Sequence, residues 1–503
     1  MLFNSYAFIF AFLPVVLAGY FVLGRIGVVG LTKIWLIAAS CFFYGWWSVP
    51  FLGLLLASIA FNYWCGQAIR HLAHAERAPV RLMLTLAIVT NVSVLAWFKY
   101  ASFIVDNLRA VTDLDLAVGT IVLPLAISFY TFQQIAYLID CSRRQVAEHG
   151  FLDYALFVTF YPQLIAGPIL HHSEMMPQFH RSQHRFRHED FAAGVAFFVI
   201  GLVKKVVLAD TVSALVDPVF RSDAGASYGC LEAWIAVLGA SVRIYFDFSG
   251  YSDMAVGLAR MLGIRLPYNF NSPYQATSII DFWRRWHITL SRFLRDYVYV
   301  PLGGNRRGAG RRYLNLMATM LLGGLWHGAG WTFVVWGGLH GLYLLINHAW
   351  QATQRRLAGT AWALHLPRWA GRLLTLAAVL VAWVFFHAAS FEQALAVLGA
   401  MAGLNGGEPL LHGWVFAELA RGGRAEVDMQ ARLLALGLGI AIVLFAPNTQ
   451  TMIDGRATLA AAGRPAAWLA WRPSAAWAGV LMLAFLLTLT QMSKVKAFIY
   501  FQF

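Results

Sequence analysis

The sequence predicts an all-α, polytopic membrane protein, a transmembrane bundle of roughly ten to twelve spanning or re-entrant helices. Three observations lead there. Hydrophobic residues fill 59% of the 503 positions and charged residues only 12%, where a soluble globular chain carries about a quarter charged residues. Apolar runs able to cross a bilayer core, which takes roughly 20 residues, recur along the chain. The basic residues gather in the short segments between those runs, as the positive-inside rule requires of cytoplasmic loops.

The first run, 6–23, has no basic segment ahead of it and leads straight into further apolar runs, so it reads as an uncleaved first helix rather than a secretory leader. Arg25 and Lys33 place the next loop in the cytoplasm and the N-terminus outside. After the run 31–47, a turn near Ser48 and Pro50 carries no basic residue, whereas Arg70, Arg77 and Arg81 cluster ahead of the run 82–98. Asp106, Asp113 and Asp115 then outnumber Arg109, and Arg143 and Arg144 follow the run 118–138. The alternation continues the same orientation. Pro162, Gly167 and Pro168 interrupt the chain next; lipid offers no partners to the backbone groups they free, so 160–170 is expected to re-enter and be satisfied by protein or water.

Beyond the run 191–208, the densest basic stretch is 281–312, with Arg284, Arg285, Arg292, Arg295, Arg306, Arg307, Arg311 and Arg312 against Asp281 and Asp296. It is assigned to the cytoplasm. The run 313–347 has basic flanks on both sides, ending at Arg355 and Arg356, so it is expected to enter and return, breaking at Gly328-Ala329-Gly330. Runs 373–386, 433–445 and 477–489 follow, but a mixed-charge segment at 417–432 and a long basic loop at 455–473 leave the C-terminal topology open. No repeat or linker to a soluble module appears, so 1–503 reads as one membrane domain. Any extracytoplasmic catalytic domain would be a separate protein.

Most of the net charge of +14 is therefore topological and does not point to nucleic acid. Cys41, Cys65, Cys141 and Cys230 have no metal or redox spacing and read as packing residues. Neither a P-loop nor a Gly-x-Ser-x-Gly elbow is present, which argues against an autonomous ATPase or serine hydrolase.

Three constellations can carry chemistry. Trp326-His327-Gly328-Ala329-Gly330-Trp331 sets an imidazole in a membrane-embedded turn. Ionisable groups are costly there and usually face a cavity or a partner, and a histidine suits general-base work; a packed, hydrogen-bonded histidine is the plain alternative. The segment 281–297 reads as one amphipathic helix on the cytoplasmic face. It either lies on anionic head groups or offers Arg284 and Arg285, with Trp286, to the phosphates of an acyl donor. His287 stands where it would shape a channel mouth toward His327, although a lone histidine is more often structural. Asp247 and Asp253, six residues apart among apolar residues, invite a hydrogen-bonded network that Arg243 and Arg260 would neutralise. That spacing is no metal motif, and no metal is expected.

At these residues the chain resembles the membrane-bound O-acyltransferase family, in its alginate O-acetylation branch. The resemblance is carried by 123–133, which opens Leu123-Pro124; by Phe160-Tyr161-Pro162 through Gly167-Pro168; by 247–253; by 281–297 continued through Pro301-Leu302-Gly303-Gly304-Asn305; by 326–331; and by the ending 498–503. It implies helices tilted around a tunnel, with His327 as the catalytic residue and His287 as the second polar position of the active region. It further implies acetyl-CoA as the acyl donor, used as a substrate with no permanently bound cofactor. Acetyl would pass across a bacterial inner membrane to extracytoplasmic acetyltransferase partners bearing a catalytic serine, which esterify an exopolysaccharide, alginate in the first instance. Peptidoglycan, cellulose or another glycan is the nearest alternative. A polysaccharide or lipid transporter, or a noncatalytic scaffold of a synthase complex, are the readings from other classes.

Overall fold

The computed structural model describes residues 1–73, 77–112, 118–180, 186–221, 228–360, 366–404, 414–455, 468–492 and 498–499. Asp113 and Asp115 of the charge alternation, most of the 455–473 loop and 500–503 of the terminal motif lie outside the described residues. Every regular element among the described residues is helical, and the chain is a multi-pass membrane protein. Among the described residues, six helices are long and apolar enough to span: α1 (Ala7–Ile26), α3 (Val49–Leu72), α4 (Arg77–Val111), α9 (His188–Phe220), α15 (Arg368–His387) and α18 (Gly423–Phe445). Between them lie α2 (Val29–Gly45), α5 (Ile127–Ser142), α6 (Phe151–Thr159), α7 (Tyr161–Leu164), α8 (His172–His180) and α10 (Cys230–Met261). Then come α11 (Ile279–Trp283), α12 (Ile288–Leu294), α13 (Gly308–His327), α14 (Trp331–Leu357), α16 (Phe391–Met401), α17 (Trp414–Ala420), α19 (Thr449–Ile453) and, near the C-terminus, α20 (Ala475–Gln491).

The helices form two compact units. The first comprises Met1–Leu202, Tyr251–Tyr268 and Arg472–Gln502. Pro14 and Pro50 sit in the first turns of the regular α-helical parts of α1 and α3, where proline's missing N–H costs nothing. The run expected over 118–138 becomes helical only from Ile127, because Pro124 precedes it and Ala126 takes a left-handed backbone (φ 64°). The expected break at 160–170 is present: α6 stops at Phe160, α7 lasts one turn, and the following backbone is irregular and buried. Protein groups serve its freed polar atoms, since Tyr161 N–H donates to Ser40 Oγ (3.1 Å) and the Gln163 amide donates to the Phe157 carbonyl (2.7 Å). Lys33, expected to flank the first cytoplasmic loop, is instead buried in α2 and ion-paired to Asp153.

The second unit comprises Val203–Gly250 and Asn269–Trp471. Its centre is the hairpin of α13 and α14, which turns at Gly328-Ala329-Gly330 as expected. Glycine is required where the two helices cross. A Cβ on Gly324 would lie 2.3 Å from the Phe333 carbonyl oxygen, and one on Gly337 would lie 2.4 Å from that of Met320. Small residues let membrane helices pack backbone to backbone in this way, and the close crossing fixes the residue that ends α13.

Candidate active site

His327 is the last residue of α13 and is 3% exposed. Aromatic rings wall it on three sides, with centroids at 4.9 Å for Trp326, 4.9 Å for Trp336 and 5.3 Å for Phe386. These spacings and edge-on angles are those preferred by aromatic pairs. The turn that follows is tight because Phe333 folds back over it: a Cβ on Gly328 would sit 2.1 Å from that ring. Excluding water from an imidazole in this manner strengthens every electrostatic interaction it makes.

The single amphipathic helix expected over 281–297 is not formed. Two short helices, α11 and α12, are separated by a turn at 284–287, and a π-helical turn (Arg295–Tyr299) follows. The physical reason is a left-handed backbone at His287 (φ 42°), which an α-helix cannot accommodate. Asn269, eighteen residues earlier, holds that conformation. Its Oδ1 accepts from the Thr289 N–H (3.3 Å) and hydroxyl (3.0 Å), and lies 3.0 Å from His287 Nδ1. Because that oxygen already accepts, His287 Nδ1 carries the proton and Nε2 the lone pair. Burial pushes the imidazole down to about 3, so it is neutral at physiological pH.

The turn brings the two sequence-predicted histidines to one cluster. Trp326 lies 6.1 Å from the His287 ring and 4.9 Å from the His327 ring, so a single indole packs on both. Phe248 adds an edge-on contact to His287 at 4.7 Å. The other three candidates separate. Arg284 is exposed. Arg285 is half-buried and engaged, donating through Nε to Asp281 Oδ1 (2.8 Å). Trp286 faces inward at 1% exposure, stacked on Phe282 (5.7 Å) and packed on Trp383 (4.9 Å). It is part of the interior packing and presents no solvent-facing surface.

The carboxylates are neutralised differently from expectation. Arg243 pairs with Asp217 (3.0 Å) and Arg260 lies 3.5 Å from Asp190. The cation facing Asp247 is Lys205, whose Nζ is 2.5 Å from Asp247 Oδ1 and 2.9 Å from Asp210 Oδ1. Lys205 lies in the π-helical stretch of α9 (Lys204–Ala209), a local widening that often accompanies functional sites. Sequence reasoning passed over Lys205, read inside an apolar run, and also Asn269, Trp336 and His340. The one available signal was a lysine pair, Lys204-Lys205, within the run 191–208.

The model of the membrane-bound O-acyltransferase family matches residues 81–390. The peptidoglycan O-acetyltransferase of Helicobacter pylori is 46% identical over 81% of this chain and 80% of its own length. The probable alginate O-acetylase of Pseudomonas aeruginosa is 37% identical over 100% of both chains. A more distant relative, the teichoic acid D-alanyltransferase of Streptococcus thermophilus, is 28% identical over 45% of this chain and 57% of its own.

Proposed function

The chain belongs to the membrane-bound O-acyltransferase family and is an O-acyltransferase, and from that premise we propose that it takes acetyl from cytoplasmic acetyl-CoA and relays it across a bacterial inner membrane for O-acetylation of an extracytoplasmic polysaccharide. The observation that carries this reading is His327, enclosed by Trp326, Trp336 and Phe386 at the end of a helical hairpin with neutral His287 packed on the same indole.

In the proposed step, His327 takes the proton of an acceptor hydroxyl as its oxygen attacks the thioester carbonyl carbon. A new C–O bond forms, the C–S bond breaks, and the thiolate of CoA leaves with the proton that His327 held. His287 presents the Nε2 lone pair opposite its Asn269-bound Nδ1, so it accepts a hydrogen bond from the acceptor or from a reacting proton. Arg284 is the exposed guanidinium for CoA phosphates; Arg285, already paired with Asp281, and Trp286, inside the wall, hold its turn. The immediate acceptor is an extracytoplasmic partner protein with a catalytic serine. The N-terminus is periplasmic and 281–312 cytoplasmic in this reading, supported by the loop charges, and 1–503 acts as one catalytic domain.

Alginate is the first candidate for the final glycan, supported by full-length similarity to a probable alginate O-acetylase. Peptidoglycan is a second reading, favoured by the 46% identity to a peptidoglycan O-acetyltransferase. Introducing His327→Ala into cells, with membrane insertion confirmed, and quantifying acetyl ester on each polymer tests both. Loss of ester from one polymer identifies the glycan; unchanged ester on both defeats the proposal.

A further inference from the structure

We infer that His340 is a positioning residue that ties the arginine-bearing turn to the wall of the His327 pocket, an inference that rests on the acyl-transfer reading above. His340 is on α14, one turn beyond Trp336, and is fully buried. The Trp283 indole N–H donates to its Nδ1 at 3.3 Å, so the ring's own proton is on Nε2. Phe282 stacks flat on the same imidazole, with centroids at 6.0 Å and planes 7° apart. The last two residues of α11 are thereby seated on His340, and the next two residues of the chain are Arg284 and Arg285.

The same helix holds the start of α11 as well. Asn347, two turns beyond His340, accepts from the Ile280 N–H at 3.2 Å. On the other side, Trp336 stands between the two histidines, with its ring centroid 4.9 Å from His327 and 4.8 Å from His340. A displacement of Trp283 is therefore felt along one helix at both places the reaction needs, the donor turn and the ring packed on His327. An apolar side chain of similar shape would fill the volume but would leave the Trp283 N–H without an acceptor, and a buried donor so stranded is costly.

The test uses the full-length chain in lipid nanodiscs, with acetyl-CoA as donor, a serine-containing peptide as the acceptor hydroxyl and CoA release as readout. His340→Phe is expected to raise the donor KM about tenfold, equivalent to ~1.4 kcal/mol, with a smaller change in kcat. His340→Asn places an acceptor where Nδ1 stood and is expected to return KM to within about threefold of wild type, whereas His340→Gln, whose acceptor reaches the Nε2 position, is not. Thermal unfolding of the three variants is measured alongside. Equal KM values for all three, or rescue by Gln and not by Asn, overturn the inference. A wild-type chain that releases no CoA would instead overturn the acyl-transfer reading beneath it.

Discussion

Lys205→Met is the most demanding perturbation the fold offers. The ammonium is buried, with its side chain 1% exposed, and faces two carboxylates, Asp247 at 2.5 Å and Asp210 at 2.9 Å. Methionine preserves the length and removes the charge, leaving Asp247 buried with its nearest cation gone. Breaking a buried pair in this way costs about 3–5 kcal/mol, because the carboxylate stays buried after losing its ion pair with Lys205. That is a loss of about a hundredfold to a few thousandfold in the folded-to-unfolded ratio. Adding Asp247→Asn removes the abandoned charge and is expected to recover roughly half of the loss, since replacing both members of a buried pair is far cheaper than deleting one. The assay is equilibrium unfolding in mixed micelles with increasing dodecyl sulfate, followed by tryptophan fluorescence, for the two single variants and the double. A Lys205→Met protein within 1 kcal/mol of wild type, or additive single and double variants, would refute the reasoning that this triad is a coupled structural unit.

Two further outcomes follow from the site. Arg284→Gln is expected to weaken acetyl-CoA binding by about tenfold or more, the worth of a charged hydrogen bond, and Arg285→Gln by less because Asp281 already holds that guanidinium; titration calorimetry at two salt concentrations checks this, and donor affinity unchanged in both would favour a lipid-surface role for the turn. His287 also makes a pH prediction. Its folded imidazole titrates at about 3 and its unfolded one near 6.5, so between those values the unfolded chain binds the extra proton and stability rises with pH. The His287 share is complete above about pH 6.5 and is lost as pH falls, at up to about 1.4 kcal/mol per pH unit. His287→Asn, which keeps a donor toward Asn269, is expected to flatten the slope of unfolding free energy against pH; an identical slope would contradict the buried, neutral assignment.

Much of this architecture was legible in residue order because the signals are local. Gly328-Ala329-Gly330 between two apolar stretches announces a hairpin, and the structure turns there. Pro162 with Gly167 announces broken backbone, and Ser40 and Gln163 supply the partners it needs. What was not legible depends on residues distant in sequence. α10 (Cys230–Met261) escaped a search for apolar runs because it carries Glu232, Arg243, Asp247, Asp253 and Arg260, charges that are affordable only with partners such as Asp217 and Lys205. The helical periodicity of 281–297 was real, but it was overridden at His287 by Asn269, whose approach no local pattern encodes. His327 stood out as an imidazole among glycines, whereas Trp336 and His340 looked like ordinary members of an apolar run. Their importance is visible only once α13 and α14 are crossed and the rings stack.

The central claim is that His327 acts on the reacting atoms. Its most direct test is CoA release from acetyl-CoA in the presence of a serine-containing acceptor peptide by the purified full-length protein, comparing wild type with His327→Ala in nanodiscs, with the helical content of both confirmed. Removing a general base costs about 10²–10⁴ in rate, so the account predicts a turnover number reduced by at least about a hundredfold with donor affinity unchanged. A His327→Ala protein that turns over acetyl-CoA at the wild-type rate would contradict it.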